Sequence, residues 1–418
     1  LLIGRFDFVV GNPPWINWEN LPQFYREETK NLWHSYGLLE KTKGMGLGKV
    51  KRDMAMMFTA RCLDRYVEHN GRYAFLVPLT AFKTQTGAGF RRFLAEGKTA
   101  AQDDKIPCSV IRVHDLVELY PFEGAVNRTA MFVVEKKNKT EFPIPCTVWY
   151  NSSNRGISMD MHLGEVEKMT KHFELILAPI KDKKVQTPWM IGTEESFSAI
   201  GKMIGESPWY GAHAGVYTGL NQIYWIEEVS KQPNGLLVTN PRLGGQKKVV
   251  DQINHIVEMD LVYPLIRGRE VKKWYSADKI GRIIIPTNEK GENIPESSMK
   301  INYSNTYQYF LRFKKELEQR SLYKLAGKDR IWYGLHVNIG DFTFAPYKVA
   351  WKEIAGKISG KGEFSVAVIG CSEDSAMGKK TIIPDHKLIF VPLYDEDEAH
   401  YLASILNSSV SRAVVAAY

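Results

Sequence analysis

The run Asn12-Pro13-Pro14-Trp15 carries the clearest chemistry in this 418-residue chain. It follows Phe6-Asp7-Phe8-Val9-Val10, a short apolar run closed by Gly11, which predicts a buried strand running into a stiff loop. In open α/β sheets ligands bind at the carboxyl edge of the strands, where this loop would lie. Two prolines fix the loop and remove two backbone donors, leaving carbonyls to point into the site. The Asn12 side-chain carbonyl and the Pro13 backbone carbonyl are then two acceptors, matched to a planar amino group with two hydrogens. Trp15 offers a face for stacking a flat ring. Such a site grips an exocyclic amine and draws its nitrogen lone pair out of conjugation. The nitrogen becomes a nucleophile with no general base of high pKa. The competing reading is a stiff polar turn whose tryptophan packs in the core. The strand before it and the helix–strand–helix pattern after it favour the site.

Those surrounding elements are legible in outline. From Trp33 to Val50 the chain is polar and Gly-rich. Asp53 can then cap a helix with Met54, Met57, Phe58, Cys62 and Tyr66 at three- and four-residue spacing, stopped by Gly71. Arg72 to Pro78 reads as a second buried strand, and Phe90, Phe93 and Leu94 mark a second helix. Two further strands are expected, at Cys108–His114 and Thr129–Val134. The βαβα order with a two-strand finish predicts a parallel sheet with helices on its faces over 1–140. Residues 141–190 read as a connecting segment. From 191 to 418 strands, turns and short helices mix irregularly, as in a separate α+β domain.

Composition narrows the classes. With 44% hydrophobic and 24% charged residues the chain is ordinary globular protein. Cys62, Cys108, Cys146 and Cys371 lie far apart with no metal-ligand spacing, which argues against a zinc finger or disulfide scaffold and for a reducing, cytoplasmic compartment. No apolar run is long enough to span a membrane, and Arg5 and Asp7 break up any leader-like start. The net charge is +8, and residues 1–140, with 21 basic and 15 acidic side chains, hold most of it. That surplus permits nucleic-acid binding without demanding it. The chain opens at Leu1 rather than Met and ends at Tyr418 inside a helical pattern, so both ends look like cuts through a longer frame.

Phe6 to Trp15 resembles the catalytic loop of amino-group methyltransferases that use S-adenosyl-L-methionine. Thr80-Ala81-Phe82-Lys83 and Phe90-Arg91-Arg92-Phe93-Leu94 look like the motifs that follow in that fold. Leu119 to Ala130 is similar to its late hairpin, which supplies a second aromatic, Phe122 or Tyr120, for the target base. The resemblance covers about residues 3–137. It implies the carboxyl-terminal half of a Rossmann-like methyltransferase sheet, acting on adenine N6 of double-stranded DNA, with transfer from sulfonium to nitrogen by in-line displacement. Methylases of protein glutamine and of ribosomal RNA share the loop. Gly215 to Asn221, Pro264 to Trp274, Pro384 to Lys387 and Leu406 to Ser409 look like the specificity domain of type IIG restriction–modification enzymes. The order of motifs is the gamma-class layout, with target recognition last, and implies a prokaryotic, DNA-associated protein.

The second domain is also readable from its residues. Residues 240–282 hold nine Lys and Arg against five Asp and Glu, interleaved with Tyr263, Trp274 and Tyr275. Arg267, Arg269, Lys272 and Lys273, with Lys247 and Lys248, are the expected DNA contacts, as phosphate anchors or guanine readers; the alternative is a solvated basic face. The glycine-rich loop and acidic residue that such an enzyme uses for the cofactor are expected upstream of Leu1, as is any nuclease domain or subunit. Gly44 to Lys49 follows no strand and ends in Val50 where a phosphate loop needs Ser or Thr. It reads as a flexible loop. The acidic run Asp395 to Glu398 opens a helix, where negative charge suits the dipole, rather than binding metal. His114 and His336 sit among apolar residues and read as core. The expectation is thus a truncated portion of a site-specific adenine methyltransferase, inactive alone. The alternatives are an RNA or protein methyltransferase and a non-catalytic DNA-binding specificity module.

Overall fold

The computed structural model describes residues 5–39, 53–99, 105–119, 122, 128–153, 155–158, 160–181, 184–205, 207–244, 250–276, 281–325, 330–353, 364–374 and 377–417. The chain divides into two compact units, Leu1–Gly205 with Val414–Tyr418, and Glu206–Ala413.

The first unit contains β1 (Phe6–Gly11), α1 (Gln23–Ser35), α2 (Met54–Arg65), β2 (Val67–Pro78), α3 (Thr80–Lys83), α4 (Ala88–Glu96), β3 (Ser109–Glu118), β4 (Thr129–Glu135), β5 (Ile144–Asn151), α5 (Leu163–Met169), β6 (Thr170–Pro179), β7 (Trp189–Gly192) and α6 (Glu194–Met203). Asp53 caps α2 as expected, its carboxylate accepting from the Ala55 N–H. All seven strands form one sheet in the order β1-β2-β4-β3-β5-β6-β7. The expected parallel sheet is in fact mixed. β1 runs parallel to β2 and β3 to β5, but β4 lies antiparallel between β2 and β3. The reason is the β3–β4 hairpin, which folds back into the gap that a crossover helix would otherwise have to bridge.

The stretch 141–190 also differs from a connector. It supplies β5, β6 and the first half of β7, with Ile144, Cys146 and Leu177 buried. The aromatic side chains Trp33, Tyr73, Phe82, Phe90, Phe93, Phe132 and Trp189 fill the core, so Trp33 ends a helix face rather than opening a polar loop. Gly71 sits where β1 and β2 converge: a Cβ there would meet the carbonyl oxygens of Phe6 and Asp7 at 3.0 Å. At the other edge of this pairing β1 has no neighbour among the described residues, and Phe6, Phe8 and Val10 are exposed.

The second unit contains β8 (His213–Ala214), α7 (Asn221–Tyr224), β9 (Trp225–Gln232), β10 (Gly235–Thr239), β11 (Asn254–Val257), β12 (Val262–Ile266), β13 (Gly281–Ile284), α8 (Glu296–Asn302), α9 (Ser304–Arg312), α10 (Lys314–Glu318), α11 (Ser321–Leu325), β14 (Tyr347–Lys352), β15 (Val366–Ile369), β16 (Cys371–Asp374), β17 (Gly378–Thr381), β18 (Ile383–Pro384), β19 (Leu388–Leu393), α12 (Glu396–Leu406) and the first part of α13 (Ser409–Ala417). It is α+β: a six-stranded sheet ordered β11-β10-β9-β13-β12-β18, a four-stranded sheet ordered β15-β14-β19-β8, and the ribbon β16-β17. Tyr224, Tyr309, Phe310 and Tyr333 pack the larger core, where Phe310 and Tyr333 stack with centroids 5.7 Å apart. The acidic run does open α12, with Asp395 accepting from the Glu398 N–H.

Candidate active site

Asn12 stands exposed just past the carboxyl end of β1, and its amide has no hydrogen-bond partner among the described residues. Pro13 behind it is buried and Pro14 is exposed. The loop is anchored on both sides of this pair. The Trp15 indole N–H donates to the Leu76 carbonyl of β2 at 3.2 Å, which pins the ring across the neighbouring strand. One residue on, the Ile16 carbonyl accepts from the first N–H of α2, that of Met54, at 3.0 Å. Trp18 then buries itself edge-on against Trp33. The prolines and these anchors hold the Asn12 amide clear of the backbone, so its acceptor is not spent within the protein.

Phe122 meets Trp15 edge-on, with centroids 5.7 Å apart and ring planes at 89°. The two aromatics named from the sequence therefore do come together. As they stand they touch each other and leave no slot: a ring held between two faces needs them about 7 Å apart. A base stacking on Trp15 has to turn Phe122 aside. Tyr120, the other aromatic named for this hairpin, lies outside the described residues.

Lys83, which closes the Thr80–Lys83 motif, and Asp115, to which the sequence assigned no role, share this carboxyl edge. α3 follows β2 directly and carries Lys83 at its end; Asp115 lies near the end of β3. Burial pulls the Lys83 ammonium down to about 8, partly opposed by the negative charge of Asp115. Burial likewise pushes the Asp115 carboxyl up, opposed by the Val117 N–H that it accepts and by Lys83. In the sequence they are a lysine after Ala81-Phe82 and an aspartate inside a strand-like run, and only the sheet order places them on one edge. Arg91 ties together the backbone around α3. It is wholly buried and donates to the carbonyls of Ala81, Phe82, Thr84 and Gln186.

In the second unit the basic segment forms a built loop. Glu270 is buried, and its carboxylate accepts from the backbone N–H, Nε and Nη2 of Arg267 and from Nε of Arg269. Its carboxyl is held below the usual range; burial, which would raise it, is outweighed by the two guanidinium groups. Arg267 is thereby engaged inside the loop, with its guanidinium 5.6 Å from the Trp225 ring. Arg269 and Lys272 are exposed and Lys273 half-buried. Lys247 and Lys248 lie outside the described residues, as does the Gly44–Lys49 loop. His114 and His336 are half-buried and hydrogen-bonded, to Trp149 and to Asn293 and Ile331; burial lowers the affinity of each for a proton.

Comparison with known proteins finds likenesses to restriction-modification methylases. A curated relative, the Type II methyltransferase M.MjaIV of Methanocaldococcus jannaschii, is 24% identical over 155 residues, which are 37% of this chain and 46% of that protein. The chain thus spans about half the length of the relative it matches. Among solved structures, the Type IIL restriction-modification enzyme MmeI, solved in complex with DNA, superposes with a TM-score of 0.52 at 9% identity, over 95% of this chain and 42% of that one. The type IIG restriction endonuclease BpuSI gives 0.29 at 14% identity, over 98% and 44%. The first of these likenesses is one of fold. Residues 2–102, which run from the strand leading into Asn12 through α4, match the model of the Eco57I restriction-modification methylase family.

Proposed function

We propose that this chain supplies the amine-binding half of a site-specific DNA adenine N6-methyltransferase, together with its target-recognition domain. The observation that carries the reading is the state of Asn12: exposed, unspent, and fixed at the carboxyl edge between Pro13 and the pinned ring of Trp15. The family of residues 2–102 and the methyltransferase relative support the transfer of a methyl group. The solved relative with DNA supports the substrate.

In this reading the target adenine is flipped from the duplex at a cost of a few kcal/mol, recovered by stacking and edge hydrogen bonds. Asn12 Oδ1 and the Pro13 carbonyl accept the two amine hydrogens, and Trp15 stacks the ring once Phe122 has turned aside. Holding both hydrogens localises the lone pair on nitrogen, and the loop needs no base to do so. S-adenosyl-L-methionine would bring the electrophilic methyl group. Among the described residues of the first unit, no glycine-rich turn joins a strand directly to a helix, so these residues fit the base side of the reaction and not the cofactor side. The free edge of β1, with its exposed apolar side chains, is where further strands would add to the sheet and carry that function.

The test uses the complete reading frame in a host that lacks adenine methylation, with Asn12→Ala as control. N6-methyladenine at one recurrent sequence, lost in the variant, is the expected result. Unmodified DNA from a soluble, cofactor-binding protein would overturn the adenine-DNA reading and direct attention to RNA and protein substrates.

A further inference from the structure

The second unit exposes two large aromatic residues, consecutive in sequence, in a place that packing does not explain. Trp274 is 53% and Tyr275 63% exposed. The backbone beneath them is nevertheless tightly held. Val271, fully buried, bridges Ser276; the Lys272 N–H donates to the Tyr275 carbonyl, and the Trp274 N–H donates to the Val366 carbonyl, both at 2.9 Å. Within this turn Trp274 has φ +76°, a left-handed conformation that favours glycine or asparagine and that a bulky side chain adopts only when its surroundings impose it. A turn built only to reverse the chain would put glycine there. This one accepts strain at the residue whose ring it displays, which is the pattern of ligand clamps.

The surroundings of the rings are cationic. Arg269 and Lys272 are exposed beside the turn, and the Lys273 ammonium lies 5.7 Å from the Trp274 ring centroid. The carboxylate of this segment, Glu270, is buried beneath and neutralised by Arg267 and Arg269. Lys352 and the exposed Lys387 adjoin the loop at Gly268, with the exposed Glu353 following Lys352. Flat rings among outward-facing cations complement bases bordered by phosphates.

We propose that the Trp274–Tyr275 turn is a base-stacking element of the recognition domain: it sets an aromatic ring against a base step of duplex DNA while Arg269, Lys272 and Lys273 hold the flanking phosphates. This rests on the DNA reading above and adds to it a residue-level role, because cations alone give salt-dependent affinity without sequence preference.

The experiment presents the complete protein with a pool of duplexes randomised over their central base pairs, measures retention against salt concentration and sequences the bound fraction. Wild type enriches a motif. Trp274→Ala and Tyr275→Ala weaken retention of that motif about tenfold and blur at least one of its positions, with the salt slope unchanged; Trp274→Phe restores both. Lys272→Ala lowers the salt slope by about one and weakens all sequences alike. Equal enrichment and affinity for wild type and both alanine variants would overturn the stacking role, as would an effect of Trp274→Ala confined to the oligomeric state. A wild-type protein with no salt-dependent retention of any duplex is a different failure, and it would remove the DNA reading itself.

Discussion

Trp15 and Trp274 each present an indole at the surface, one in each unit, and they are held by opposite means. Trp15 sits on unstrained backbone with its ring fixed, by the bond to Leu76 and by packing on the core. Trp274 sits on strained backbone with its ring exposed. Fixing the ring suits chemistry, where a reacting atom must meet its acceptors within a fraction of an ångström. Fixing only the backbone suits recognition, where a side chain settles against a partner after contact. Each unit also buries an arginine that ties backbone carbonyls together. Arg91 ties the α3 region to Gln186 within the first unit. Arg320, also buried, ties Thr218, Leu317, Trp332 and Gly334 together within the second unit.

The buried arginines offer the hardest way to break this comparison. Arg91→Met strands at least two buried carbonyls and is expected to destabilise the first unit by about 3 kcal/mol or more. Arg320→Met should do the same in the second. Urea unfolding followed by probes in each unit measures both, and a neutral result for either would show that its carbonyls find other donors. Next in size, Trp15→Ala should cost about 2 kcal/mol of stability and most of the methyl transfer, while Trp15→Phe keeps part of both. If Trp15→Ala left transfer intact, the ring would be a packing element only.

Each unit also buries a lysine, and here the expected effect is a pH slope. Burial lowers Lys348 to about 7 and Lys83 to about 8, from an ordinary 10.5. Charged and buried, each penalises the fold at lower pH. As pH rises through about 7 for Lys348, the folded state releases a proton that the unfolded chain keeps to near 10.5, so stability climbs across that window. For Lys83 the climb begins about one unit later. Unfolding midpoints taken from pH 6 upward in roughly unit steps should therefore rise in the second unit before the first. The smallest effect is expected at Trp274→Gly. Relief of the left-handed strain offsets the entropy of glycine, and stability should stay within about 1 kcal/mol. A large loss there would mean that the ring, and not the turn, holds the loop.

What could be read from the sequence follows from how locally each feature is encoded. The strand and the stiff loop after it were visible because a short apolar run, two prolines and an aromatic lie within ten residues. α2 was visible because Asp53 and the spacing of Met54, Met57 and Cys62 act within a few turns. Strand order was not, because the place of β4 between β2 and β3 is settled by a hairpin fold-back and by partners far away in sequence. The strands in 141–190 were missed for the same reason: Ile144 and Cys146 show their alternation only once β3 lies beside them. Arg91, Arg267 and Arg320 look like solvated cations in a string of letters. Their partners are carbonyls and a buried carboxylate that no sequence pattern announces. The strain at Trp274 is invisible for the converse reason, since the residue there is the one that turn chemistry argues against.

The outer strand of the first sheet has a practical consequence. β1 offers a row of backbone donors and acceptors without a neighbouring strand among the described residues, and Phe8 and Val10 beside them are 72% and 78% exposed. Such an edge templates pairing with any strand it meets, including the β1 of another copy. The chain is therefore expected to self-associate increasingly as its concentration rises. A lysine in place of Phe8 is the change expected to keep it in solution, because a charge on an edge strand makes edge-to-edge pairing costly.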